Sequence, residues 1–155
     1  MNTKRLLIFN LLVRLLPPTR CLSFKVKLLR WCGAKVGQNV SIFSPRILGR
    51  ADLIIGDNAW IGHEALIFGP KGSSIRIDDF AKVGSRAIVV TGYHEYSIAY
   101  DNIAGPGKWA DVRICKGSCV GTMAIILPGK TIGEKAHVSA GSVVTHNVPA
   151  YHRVA

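Results

Sequence analysis

Residues 114–149 read ICKGSCVGTMAIILPGKTIGEKAHVSAGSVVTHNVP. Cut in sixes, the stretch becomes ICKGSC, VGTMAI, ILPGKT, IGEKAH, VSAGSV, VTHNVP. An aliphatic residue opens every unit, glycine often follows it, and the fifth place is often small. An amphipathic helix repeats every 3.6 residues and a half-buried strand every two, so neither explains a period of six. The same beat runs upstream. VGQNVS starts at Val36, IFSPRI at Ile42, IGDNAW at Ile55, IGHEAL at Ile61, IDDFAK at Ile77 and VGSRAI at Val83. It slips near residues 49–53 and 70–74, where small loops are expected to leave the repeat.

A fixed short period is the mark of a solenoid. Each unit is one short strand and a bend, its aliphatic residue points inward, and the glycine is expected to help the backbone turn. Three units make a triangular coil of about 18 residues, and about five coils fit the chain. The expected fold is all-β, a parallel β-helix, preceded by a short helical arm. The expected division is residues 1–35 for the arm and 36–155 for the β-helix.

The longest break in the beat is VVTGYHEYSIAYDNIAGPGKWADVR, residues 89–113. Gly105-Pro106-Gly107 marks it as turn-rich. A long loop leaving a rigid scaffold is a common place for function, so 92–113 is read as an active-site loop. His94 sits at its root. Tyr93, Tyr96, Tyr100 and Trp109 could wall a pocket there. The bland alternative for His94 is a polar loop histidine without chemistry.

These residues carry a family resemblance. Over residues 36–149 the hexapeptide pattern resembles the left-handed β-helix of the hexapeptide-repeat acyltransferases; the resemblance, not the spacing, supplies the handedness. Thr91-Gly92-Tyr93-His94-Glu95-Tyr96-Ser97 is similar to the active-site segment of the galactoside, maltose and colanic-acid type O-acetyltransferases. The resemblance implies that His94 is the general base, taking the proton of a sugar hydroxyl that attacks the thioester of acetyl-CoA directly. Histidine suits that task because its ordinary pKa lies near neutral pH. Nearby acids that could orient it are Glu95, Asp78 and Asp79. No G-x-S-x-G elbow or Cys-His signature argues for a covalent nucleophile.

The stretch from Cys119-Val120-Gly121-Thr122 to Pro128-Gly129 resembles the family's W-I-G-S…N-P-G segment. Residues 139–145, SAGSVVT, resemble its G-A-G-S-V-V-T. Carried over, Gly121, Thr122, Ala140 and Thr145 line the CoA groove. His146 stands where many relatives have a lysine, which puts one phosphate contact in question. The competing reading is that these are simply repeat positions that need small residues. His63 and Glu64 fall in the coil where relatives carry an acceptor-site asparagine; with Tyr93, Glu95, Tyr96 and Trp109 they are the candidate acceptor contacts. Relatives usually continue past the position of Ala155 with G-x-P-A-[KR] near the CoA tail; the lack of that segment is read either as a shortened chain or as a weakened donor site. The resemblance further implies a homotrimer with each site between two subunits, and sugar or glycolipid acceptors in surface-polysaccharide assembly.

The net charge is +11, from 20 Lys and Arg against 9 Asp and Glu. Eight of the bases and none of the acids fall in the first 35 residues. MNTKRLLIFNLLVRLLPP is expected to form a short helix with a polar stripe of Thr3, Asn10 and Arg14, ended by Pro17-Pro18. It is too short to span a bilayer and has no A-x-A-like cleavage site. A second helix over about 20–31 groups Arg20, Ser23, Lys27 and Arg30 by spacing. Two readings of the arm stand: an amphipathic contact with an anionic membrane surface, or packing on the body or another subunit. The cysteines, Cys21, Cys32, Cys115 and Cys119, have no C-x-x-C or zinc-ribbon spacing, so reduced thiols in the cytoplasm are expected.

Three rivals are weaker. A γ-class carbonic anhydrase on this fold needs histidines five residues apart, and position 89 is Val; no metal is expected. Nucleic acid is disfavoured because no aromatic stacking platform accompanies the bases. A non-catalytic scaffold or membrane-surface module fits the arm but not the His94 loop.

Overall fold

The computed structural model describes residues 1–99 and 102–155. The repeat winds into five three-strand coils. Coil one holds β1 (Lys35–Val36), β2 (Ser41–Ile42) and β3 (Arg46–Gly49). Coil two holds β4 (Asp52–Ile55), β5 (Trp60–Ile61) and β6 (Leu66–Gly69), and coil three β7 (Ser74–Ile77), β8 (Lys82–Val83) and β9 (Ile88–Val90). An antiparallel hairpin then intervenes, β10 (Gly92–Tyr96) with β11 (Ala104–Trp109). Coil four is β12 (Val112–Ile114), β13 (Cys119–Val120) and β14 (Ile125–Ile126); coil five is β15 (Thr131–Ile132), β16 (His137–Val138) and β17 (Val143–Val144). A last strand, β18 (Arg153–Val154), pairs with β16.

Successive coils stack in parallel to give three faces. The first is β1-β4-β7-β12-β15, the second β2-β5-β8-β13-β16-β18, the third β3-β6-β9-β14-β17. Inward residues form columns in strict register. Val36, Ile55, Ile77, Ile114 and Ile132 make one; Ile42, Ile61, Val83, Val120 and Val138 the second; Ile47, Ile67, Val89, Ile126 and Val144 the third. Nearly all are fully buried. No coil could bury these residues alone, which is why the period persists.

Two details differ from the sequence expectation. The unit starting at Ile42 is one residue short: the next inward residue is Ile47, not Leu48, which faces out. Its corner runs Ile42-Phe43-Ser44, where coil two uses Ile61-Gly62-His63-Glu64. The second concerns glycine. The second-place glycines Gly37, Gly56, Gly62, Gly84, Gly121 and Gly133 do not have positive φ. The left-handed residue lies two places on, at Asn39, Asn58, Glu64, Arg86, Met123 and Lys135. Those glycines are needed instead because the next coil's backbone passes where a Cβ would stand.

The arm forms α1 (Thr3–Leu15) and α2 (Leu22–Trp31). Asn2 caps α1, its side chain accepting from the Arg5 amide. Leu6, Phe9 and Val13 of α1 and Val26 and Leu29 of α2 join the solenoid core at coil one. Asn10 does not belong to a solvent stripe: its side chain donates to the Ile47 carbonyl at 2.8 Å and accepts from the Ile47 amide at 3.0 Å. It thereby satisfies the open edge of β3. Arg20 precedes α2, while Arg30 donates to the carbonyls of Val36 and Gly37. No helix among the described residues is long and apolar enough to cross a membrane.

Lys25 is fully buried under the α1–α2 connection, and its Nζ donates to the carbonyls of Pro17 and Pro18 at 2.8 and 2.7 Å. Desolvation by burial lowers its pKa from 10.5. The folded form therefore binds this proton less readily than the unfolded chain, so stability rises with pH between the lowered value and 10.5. The Pro17 carbonyl also accepts from the Arg20 amide at 3.2 Å, so Lys25→Met is expected to cost about 1–3 kcal/mol by removing the Lys25 donor to the Pro18 carbonyl, and to flatten that alkaline rise in urea unfolding.

Candidate active site

The hairpin leaves the solenoid at the edge between the third and first faces, after coil three. Its root is pinned by buried groups. Ser73 Oγ donates to the Pro70 carbonyl at 2.9 Å and lies 2.7 Å from Thr91 Oγ1. The Ala110 amide donates to the Thr91 carbonyl at 2.9 Å, closing the other end. Thr91 and Ser73 are both buried, so the base of the hairpin is fixed to the scaffold.

Along β10, neighbours point to opposite sides. His94 stands opposite Gly107, and Tyr93 opposite Lys108. A glycine facing His94 leaves room for the ring: a Cβ on Gly107 would lie 3.9 Å from its Cε1. His94 Nδ1 is 2.9 Å from the carbonyl oxygen of Gly105. A carbonyl can only accept, so Nδ1 carries the proton, and in the neutral ring Nε2 is left as an acceptor. The orienting group is thus a backbone carbonyl, not an acid. Asp78 is held by Arg76 and Arg113 at 2.6 and 2.9 Å, and Asp79 accepts from the Asp57 amide. Glu95 pairs with Lys108 at 2.9 Å on the side of β10 away from His94.

Tyr93 shares that far side, Tyr96 follows a bulge after His94, and Trp109 packs its ring over Gly72 at the hairpin root. All three rings are at least partly open to solvent. Tyr100 lies outside the described residues.

The other candidates fall on two edges. Gly121, Thr122 and Ala140 meet at the edge between the second and third faces, where Gly121 touches the Ala140 backbone. A shallow groove of about 220 Å³ opens there, lined by Trp60, Lys82, Gly84, Cys119, Gly121 and Thr122. His63 and Glu64 occupy the same edge nearer the arm. His63 Nδ1 is 3.2 Å from the Phe43 carbonyl, and Glu64 pairs with Arg86 at 2.7 Å. That hydrogen bond and charge hold the Glu64 carboxyl below its ordinary range. Thr145 and His146 lie instead on the hairpin's edge, two coils further on, 2.9 Å from one another through Oγ1 and Nδ1. In a single chain, then, His94 shares an edge with Thr145 and His146, while the Gly121 groove lies across the third face.

Trp60 and Lys82 were not singled out by the sequence reading. Both were within reach of it: Trp60, Lys82, Cys119 and His137 take the sixth place of their units and form one outward column. No cluster of three or more His, Cys, Asp or Glu side chains suited to a metal occurs among the described residues.

No protein-family model matches the chain. Over 124 residues it is 30% identical to WcaF of Escherichia coli (strain K12), assigned to colanic acid biosynthesis as an acetyltransferase; the match covers 79% of this chain and 65% of WcaF. The maltose O-acetyltransferase of Clostridium difficile 630 superposes with a TM-score of 0.70 at 25% identity, covering 95% of this chain and 79% of its own. The hexapeptide-repeat acetyltransferase VCA0836 of Vibrio cholerae O1 biovar eltor, solved with acetyl coenzyme A, gives 0.72 at 22% identity, covering 96% and 78%. At that identity the last comparison speaks for the fold. The chain spans about two thirds of the length of its curated relative. Its homologues are acetyltransferases, and its fold is the β-solenoid of the hexapeptide-repeat acetyltransferases.

Proposed function

We propose that the chain is an O-acetyltransferase that moves an acetyl group from acetyl-CoA to a sugar hydroxyl, with His94 as general base. The observation that carries this reading is the His94 Nδ1 hydrogen bond to the Gly105 carbonyl, which leaves Nε2 free to accept. Nε2 takes the acceptor's hydroxyl proton as that oxygen attacks the thioester carbonyl. The tetrahedral oxyanion collapses, the C–S bond breaks, and the proton returns from the imidazolium to the CoA thiolate. No covalent enzyme intermediate is needed. The relatives' names support a sugar acceptor, since one belongs to colanic acid biosynthesis and another acts on maltose. The test is acetyl-CoA-dependent thiol release across a panel of sugars and lipid-linked sugars. Release with one acceptor class is expected; silence across the panel with no CoA binding would leave a non-catalytic solenoid.

The active assembly in this reading is a homotrimer. On strands β6, β9, β14 and β17 the third face presents Leu66, Ile88, Ile125 and Val143 outward in one row, with Phe68 and Val90 beside it; on β3 the same row is Arg46, at a groove under α1. A row of outward aliphatics on four adjacent strands favours burial against another copy. His94 and the Gly121 groove flank this face, so neighbouring copies would bring one subunit's His94 to the next subunit's groove. His94→Ala and Thr122→Trp subunits, each inactive alone, would then complement when mixed. Random 1:1 mixing gives about one quarter of the sites both intact contributions. Activity that never returns on mixing removes the shared site. The basic arm, in the same reading, rests on an anionic membrane surface.

A further inference from the structure

A second groove, about 560 Å³, lies between α1 and the corners of the first two coils. That volume is in the roughly 300–1,000 Å³ range of small-molecule sites. Leu7, Leu11 and Leu16 of the arm form one wall, and Pro45 and Leu48 the other. Ser44 also lines it, on the corner that coil one turns one residue short. Ser44 is 8% exposed, and its Oγ is a buried side-chain polar atom without a hydrogen-bond partner among the described residues. Burying a hydroxyl unpaired is costly, so in a native fold such a group calls for a ligand atom. The rim carries Arg14 and Arg46. Neither makes an ion pair among the described residues; Glu64, which lines the groove with His63, pairs with Arg86 and also feels the Arg14 charge.

Apolar walls, an unpaired hydroxyl and two available cations fit an anionic amphiphile. The surface outside the groove indicates its source. Leu7, Leu11 and Leu15 repeat at four-residue spacing along α1 and are 72%, 59% and 74% exposed. The arm around them is wholly basic. A stripe of this kind lies in a lipid interface. We infer that the groove seats one anionic phospholipid of a bilayer. Its acyl chain lies on Leu7, Leu11 and Leu48, its phosphate meets Arg14 and Arg46, and an ester or phosphate oxygen accepts from Ser44 Oγ. This deepens the membrane contact proposed above and does not depend on acetyl transfer.

The test uses the full chain and dihexanoyl phosphatidylglycerol below its micelle concentration, followed by calorimetry. One molecule per chain is expected, bound about tenfold more tightly than dihexanoyl phosphatidylcholine. Arg46→Glu and Leu11→Glu are each expected to weaken it about tenfold, and Lys27→Glu, on α2 outside the groove, less than about twofold. Leu11→Gln repeats the apolar arm of the test should the carboxylate disturb the helix. Ser44→Ala is expected to weaken binding about threefold. Equal affinity for the two lipids, an equal effect of Lys27→Glu, or no saturable binding overturns the groove. Binding to phosphatidylglycerol vesicles that persists while the short-chain lipid fails keeps the surface contact and removes the seated lipid. Dissociation of an oligomer by Leu11→Glu, without lipid binding, assigns the groove to a second copy instead. Acetyl transfer to a soluble acceptor, measured on Leu11→Glu, reports separately on the catalytic reading and is expected to match the parent.

Discussion

His94→Ala is expected to lower turnover about 10²–10⁴-fold, the usual contribution of a positioned base, with the KM for acetyl-CoA nearly unchanged. The ring projects from a hairpin whose root is held by Ser73, Thr91 and Ala110, none of which touches the imidazole. Removing it should therefore cost little stability, about 1 kcal/mol for the lost bond to Gly105. Thiol release and a thermal melt on one preparation separate the two effects. Turnover that persists in a folded variant would take the base away from His94. His94→Gln sharpens the result: an amide can still donate to the Gly105 carbonyl but cannot take a proton, so it should remain as inactive as alanine.

Gly84→Ala is expected to be among the most damaging small changes in the scaffold. The added methyl would stand 2.6 Å from the Thr122 amide nitrogen, 2.7 Å from the Gly121 carbonyl carbon and 2.8 Å from the Val120 oxygen. All three are backbone atoms in a neighbouring strand layer, where spacing is set by hydrogen bonds at about 4.8 Å. They cannot move singly. A loss of about 3 kcal/mol or more is expected, a fall in Tm of roughly 6–12 °C for a chain of this size. Gly141→Asn is the matched control. Gly141 has φ +75, but a Cβ added there would meet nothing within 4 Å. At the equivalent corner of other coils Ser44, Glu64, Arg86 and Met123 already adopt φ of 56–60. Asparagine there should cost under about 1 kcal/mol. A shift for Gly84→Ala no larger than that for Gly141→Asn would mean that coil spacing does not select glycine at position 84.

That contrast shows where the sequence was readable. Inward residues such as Ile55, Ile77 and Ile114 share one environment repeated every coil, so period alone finds them. The hairpin was legible as an interruption of that period between Val89 and Ile114. The role of glycine was not, because a residue needed for a turn and one needed for close approach look alike until the neighbouring coil is present. The short corner at Phe43–Ser44 was hidden for a related reason: Ile47 and Leu48 are both aliphatic, and only pairing with Ile67 and Phe68 decides which points inward. Asn10 read as polar surface because its partner, Ile47, is 37 residues away. At the site, His94 could be singled out from its neighbours, but its orienting group was invisible, since a main-chain carbonyl leaves no mark on residue identity.

The hairpin of residues 92–109 has one consequence for how such a molecule can change. Behind it the stack is continuous: Val89 pairs directly with Ile126, and Ile77 with Ile114, as though nothing had been inserted. The chain leaves the winding and rejoins it at almost the same point, so the excursion adds no offset to any later coil. Lengthening, shortening or exchanging it leaves every core column untouched. The loop that presents His94 and the winding are thereby held in separate parts of the chain, and the excursion can be rewritten while the winding that carries it stays as it is.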